Sequence, residues 1–191
     1  MIRFLTAAFL LSLSCSMADA QSGGGWDTPR KSASEKESAP SLAKIAALQD
    51  AVADAWLKMP LTQRRAIFVS AKPDTYGSFN ERKSKVFKVG ETLITYVEPI
   101  GYTWAANADG TYNYGIVADW VVKRPDGTIL GGQEKFLNFA KSSYVRNQEL
   151  MVTLSLTLDA IPPGDYLLEY KLHDGQSTKE SKITQTFTIQ P

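Results

Sequence analysis

The clearest pattern in the chain is a late alternation of apolar and polar positions. Leu150, Val152, Leu154, Leu156 and Leu158 alternate with Met151, Thr153, Ser155 and Thr157. Tyr166, Leu168, Tyr170 and Leu172 alternate with Leu167, Glu169, Lys171 and His173, and Ile183, Gln185, Phe187 and Ile189 alternate mostly with Thr. A period of two is that of a strand burying one face. It predicts strands near Ala66–Ala71, Lys85–Lys88, Thr92–Glu98, Tyr114–Lys123, Thr128–Phe139, Glu149–Leu158, Asp165–His173 and Ser181–Gln190. Pro125-Asp126-Gly127, Pro162-Pro163-Gly164 and Asp174-Gly175 supply turns between them. Short strands at this spacing, with no helices between them, predict an antiparallel sandwich over residues 60–191. On Thr92–Glu98 both parities carry apolar residues, so its inward face stays open.

Upstream the period changes. Leu42, Ile45, Leu48, Val52, Trp56 and Met59 recur at three- and four-residue steps and draw one apolar stripe on a helix over residues 41–59. Ser41 is its N-cap, and Pro60 ends it. One helix of this length is marginal alone in water. It must bury the stripe, on the following domain (the favoured reading) or on a partner.

The chain opens with the pattern of a secretory signal peptide over residues 1–20. Arg3 supplies the positive charge, Phe4 to Leu13 an apolar run of about ten residues, and Ala18-Asp19-Ala20 the small-x-small cleavage pattern. The run is too short to span a bilayer, and no later apolar run is long enough. The expected location is the periplasm, with secretion as the alternative. Acylation at Cys15 is disfavoured, because Ser12 stands where that motif wants Leu. Residues 21–40, QSGGGWDTPRKSASEKESAP, lack an apolar period and predict a flexible leader.

Composition then narrows the chemistry. Lys and Arg number 21 against 20 Asp and Glu, a formal charge of +1. So balanced a chain offers no electrostatic footprint for nucleic acid. Cys15 is the only cysteine, so a disulfide framework and Cys-rich metal sites are excluded. His173 is the only histidine, which excludes multi-His metal sites. No cofactor or metal site is predicted.

The stretch IPPGDYLLEYKLHDGQSTKESKITQTFTI, Ile161 to Ile189, resembles the last two strands of bacterial immunoglobulin-like domains. FKVGETLITYVEP, Phe87 to Pro99, is similar to their entry into an early strand. With Tyr114 to Leu130, the chain resembles uncharacterised exported bacterial proteins of this type over residues 66–190. The resemblance implies an all-β, immunoglobulin-like antiparallel sandwich of seven to eight strands with one N-terminal amphipathic helix. It also implies that Tyr166 occupies a tyrosine corner, its hydroxyl returning to nearby backbone. It carries over no catalytic residues.

Three candidate chemistries remain. Tyr96, Tyr102, Trp104, Tyr112, Tyr114 and Trp120 crowd into one segment, with Asn107 and Asp109 nearby. Exposed rings there could stack on sugars, and Tyr102, Trp104, Tyr112 and Tyr114 are the candidate ligand-binding residues. Trp120 is expected in the core by its parity with Ile116 and Val122. Asp119, Glu134 and His173 are the candidates for hydrolytic chemistry. His173 adjoins Asp174, with Ser177 as a notional nucleophile, but its strand parity makes it a surface residue. Asp119 is expected on the solvated face of its sheet. The basic cluster Lys72, Arg82, Lys83, Lys85 and Lys88 reads as a solvated loop. The sequence therefore predicts an exported, non-catalytic envelope binding or interaction module, its partner an unknown envelope protein or glycan. A carbohydrate-binding module using exposed aromatics near residues 102–114 is the alternative, and a glycan- or ester-directed hydrolase the weaker one.

Overall fold

Ser41 caps the helix as its residue type suggests. Its hydroxyl accepts from the Lys44 amide at 3.2 Å, and Leu42–Lys58 form α1. Met59 leaves helical geometry ahead of Pro60. This computed structural model describes residues 40–191, so the expected signal peptide, Cys15 and nearly all of the leader lie outside the described residues.

Only Ala53 and Trp56 of α1 are buried. Leu42 is 90% exposed, and Ile45, Leu48 and Val52 also face solvent. The helix thus docks on its own domain through its C-terminal half, while the N-terminal part of the stripe is left uncovered by this chain. The contact follows Ala53 and Trp56, rotated away from the Leu48–Val52 side.

Nine strands follow among the described residues: β1 (Thr62–Phe68), β2 (Val86–Lys88), β3 (Thr92–Ile100), β4 (Ala105–Ala106), β5 (Tyr112–Lys123), β6 (Ile129–Ser143), β7 (Val152–Thr157), β8 (Gly164–Asp174) and β9 (Glu180–Gln190). One sheet has the order β1-β3-β7. The other runs β2-β9-β8-β5; β4 and β6 both pair with β5. All pairs are antiparallel except β2 with β9. The described chain is therefore mostly β with one helix. The additional strand is β4, two residues long and below what a periodic pattern can reveal.

Both sheets contribute to one core. Leu93, Val97, Leu154 and Leu156 come from the three-stranded sheet; Ile116, Leu168, Leu172 and Phe187 come from the larger one. Thr95 is buried too, and its hydroxyl donates to Gln185 Oε1 across the core at 2.9 Å. That settles the parity of β3: Leu93, Thr95 and Val97 face inward. Tyr96 and Glu98 take the other face, where Phe79 lies over the Tyr96 ring at 4.8 Å between centroids. Burial and the nearby Glu98 carboxylate raise the Tyr96 hydroxyl to about 12. Tyr166 donates its hydroxyl to the Pro162 carbonyl at 2.7 Å, the local return expected of it.

Candidate functional site

Of the four candidate ligand-binding aromatics, three are core residues. Tyr102 is 0% exposed, Trp104 7%, and Tyr114 is also buried. The expectation that these rings face solvent is corrected, because α1 covers them. Trp56 meets Tyr102 edge-on at 5.2 Å and stacks on Trp104 at 5.4 Å. Tyr102 in turn stacks on Tyr114 at 5.8 Å. Tyr112 is half-buried and lines a surface groove described below.

Polar ends of the buried rings find partners, as buried donors must. Trp56 Nε1 donates to the Tyr102 carbonyl at 2.8 Å. Tyr102 Oη and Trp104 Nε1 both donate to the Asn147 carbonyl, at 2.7 and 2.8 Å. Asn147 Nδ2 donates to Tyr114 Oη at 3.3 Å, and Asn147 Oδ1 accepts from the Glu149 amide at 2.7 Å. Burial drives the Tyr102 hydroxyl well above the usual tyrosine range, in keeping with its role as a donor.

Two further devices hold the helix end. Gly101 has a φ of 80°, and a Cβ there would sit 2.3 Å from the Pro60 carbonyl oxygen. Only glycine allows that approach. Lys179 Nζ donates to the carbonyls of Leu57 and Gly101, each at 2.8 Å, placing a cation at the C-terminus of α1.

The knot of rings thus fixes Asn147, and with it the segment 144–149 between β6 and β7. Between that segment and α1 lies an open groove of about 570 Å³. Gln49 and Asp50 line it from the helix, Tyr112 from β5, and Tyr144, Arg146, Gln148 and Glu149 from the segment. Arg146 pairs with Asp50, linking segment and helix. Tyr144 is 78% exposed.

A second depression, about 710 Å³, lies on the outer face of the larger sheet. Its walls include Asp119, Glu134, Glu169, Lys171, Glu180 and Lys182. The structure brings two of the hydrolytic candidates together, through a pairing not foreseen from adjacency. His173 Nε2 lies 2.6 Å from Asp119 Oδ2, and Nδ1 lies 2.9 Å from Glu180 Oε1. The other Asp119 oxygen accepts from the Lys135 amide at 2.7 Å. Lys135 sits at a bulge of β6 with a φ of 52°. Burial alone would raise the Asp119 carboxyl; hydrogen bonds from His173 and the Lys135 amide outweigh it and hold the group below its ordinary value. Glu169 is lowered by bonds from Lys123 and Lys182. Asp174 is buried and turned elsewhere: it accepts from the Thr103 amide at 2.9 Å and from the Ser177 hydroxyl. Ser177 is therefore not His173's partner. In the basic cluster, Arg82 is tied to Glu91 at 2.6 Å and to the Val86 carbonyl at 2.7 Å.

Among the described residues, no group of three or more His, Cys, Asp or Glu could hold a metal ion. No described helix is long and apolar enough to cross a membrane.

The anchors Trp56, Asn147 and Lys179 and the exposed Tyr144 escape sequence reasoning as site residues. Trp56 carried a signal, its place on the helical stripe. Asn147, Tyr144 and Lys179 lie in unpatterned segments and carry none.

No protein family matches the chain, and no curated protein does. Among solved structures it is similar to the Pseudomonas fluorescens alkylpurine DNA glycosylase AlkC bound to DNA containing an abasic site analog. The identity is 8% and the TM-score 0.37; the match covers 78% of this chain and 36% of that one. The chain thus spans about a third of that protein's length, and so distant a likeness carries no argument about function.

Proposed function

We propose that the protein is an exported, non-catalytic binding module of the cell envelope, built on an immunoglobulin-like sandwich. Its ligand enters the groove between α1 and residues 144–149. The sandwich reading is supported by two sheets sharing one core and by the Tyr166 return to Pro162. The observation that carries the binding site is the convergence of Tyr102 and Trp104 on the Asn147 carbonyl. Buried rings hold an exposed segment in a set position against a helix, and pre-organised surfaces of this kind bind without the cost of ordering themselves.

The non-catalytic reading rests on the polar face of the larger sheet. Both ring nitrogens of His173 and both oxygens of Asp119 are engaged by neighbours. A general acid or base needs a free position within reach of a reacting proton.

The test is retention of envelope components by the immobilised full chain and by Ala46→Trp, which fills the groove from an exposed helix position. A component kept by the parent and lost by Ala46→Trp, at equal Tm, is expected. Equal retention by both, or by neither, contradicts the reading.

A further inference from the structure

We infer that the groove between α1 and residues 144–149 takes a neutral oligosaccharide; this rests on the binding-module reading above. Four features of the groove point to that class. The first is aromatic. Tyr144 presents a ring that is 78% exposed, on a segment whose Asn147 is held by three buried rings, and Tyr112 lines the same groove. A tyrosine offers an apolar face to the C–H face of a sugar and a hydroxyl for its rim. The ring's exposure follows from its place on the segment, since nothing in the core needs it.

The second feature is the set of polar side chains. Gln49 and Gln148 add planar groups that both donate and accept, which suits vicinal hydroxyls. Asn147 is excluded from this set, because its carbonyl and both side-chain ends are already committed. The third feature is charge. Asp50 and Arg146 neutralise each other, and Glu149 leaves a small negative excess. An anionic ligand meets no free cation here, which argues against phosphates and nucleic acid. The fourth feature is size. About 570 Å³ lies inside the range of roughly 300–1,000 Å³ typical of small-molecule sites.

The test is an NMR titration of the full chain, reading the Tyr112 and Tyr144 rings and the Gln49 and Gln148 side-chain amides. The probes are hexasaccharides of α-1,4-glucose, β-1,4-glucose and β-1,4-N-acetylglucosamine. At least one is expected to shift these signals saturably. Tyr144→Ala should weaken that binding about tenfold, the scale of one lost stacking contact. Tyr144→Phe, which keeps the ring, should preserve most of it. Both variants should melt with the parent, since so exposed a side chain contributes little to stability. No saturable shift with any probe overturns the inference, as does binding indifferent to Tyr144→Ala. A peptide retained in the Ala46→Trp comparison, with no saccharide binding, would overturn the sugar assignment and leave the binding module standing.

Discussion

Two concave surfaces of this molecule are built on opposite principles. Beneath the α1 groove, Trp56, Tyr102, Trp104 and Tyr114 bury their rings; the first three donate to backbone carbonyls, and Tyr114 accepts from the Asn147 side chain. On the outer face of the larger sheet, Asp119, His173, Glu180, Lys171, Glu169, Lys182 and Lys123 are linked by half-exposed ion pairs. The first surface is held by ring packing and a few buried hydrogen bonds, so that Tyr144, Gln49 and Gln148 at the rim remain available beside the paired Arg146 and Asp50. The second uses its charged groups to hold itself together. Charge density alone would have pointed to the second as the site; asking which groups are already engaged points to the first.

The comparison can be broken most forcefully at Trp56. Trp56→Ala removes a buried indole and leaves its neighbours facing a cavity. A loss of about 3–5 kcal/mol is expected in denaturant unfolding. A loss below about 1 kcal/mol would mean that α1 does not depend on this anchor. Tyr102→Phe is a gentler cut: it deletes one donor to the Asn147 carbonyl and keeps the ring. About 1 kcal/mol is expected, because Trp104 Nε1 still satisfies that oxygen.

The smallest effect at neutral pH is expected from Asp119→Asn, under about 1 kcal/mol, since its pair with His173 is partly solvated. Its signature is pH dependence. The folded Asp119 and Glu169 carboxyls sit below their ordinary values. Their contribution is present above about pH 4 and is lost as pH falls through the lower folded values. Asp119→Asn should flatten the acid limb of stability against pH, and Tyr102→Phe should leave it unchanged. The aromatic region behaves oppositely. The raised Tyr102 hydroxyl contributes fully below about pH 10, and this is lost as pH rises through its folded value. Tyr102→Phe should therefore soften the alkaline limb. An acid limb unaltered in Asp119→Asn would show that the ionic network does not contribute to the fold.

Much of the architecture was legible because alternation reports burial directly. The strand read as Asp165–His173 is Gly164–Asp174, and Ser181–Gln190 is Glu180–Gln190. The first strand, expected at Ala66–Ala71, runs instead over Thr62–Phe68. Gln63, Arg64 and Arg65 interrupt its alternation at a bulge opposite Pro99 and Glu98. The site was legible only as a concentration of aromatic residues. Tyr102 and Trp104 lie in a segment without a period, so no parity argument tells inside from outside. What buries them is a helix 46 residues earlier in the chain, reaching the Tyr102 carbonyl through Trp56. His173 teaches the same lesson. Its neighbour Asp174 turns into the core, while its carboxylate partner Asp119 comes from an adjacent strand 54 residues away. Contacts this remote depend on strand pairing and on the path of the helix, which local patterns do not encode.

The most direct test of the central claim, that buried aromatics are the frame and the groove is the site, compares Ala46→Trp with Tyr102→Phe in one binding assay beside their melting curves. Ala46→Trp is expected to abolish ligand binding at the parent's Tm, while Tyr102→Phe melts a few degrees lower yet binds when folded. Binding that survives Ala46→Trp and vanishes in a folded Tyr102→Phe would contradict it.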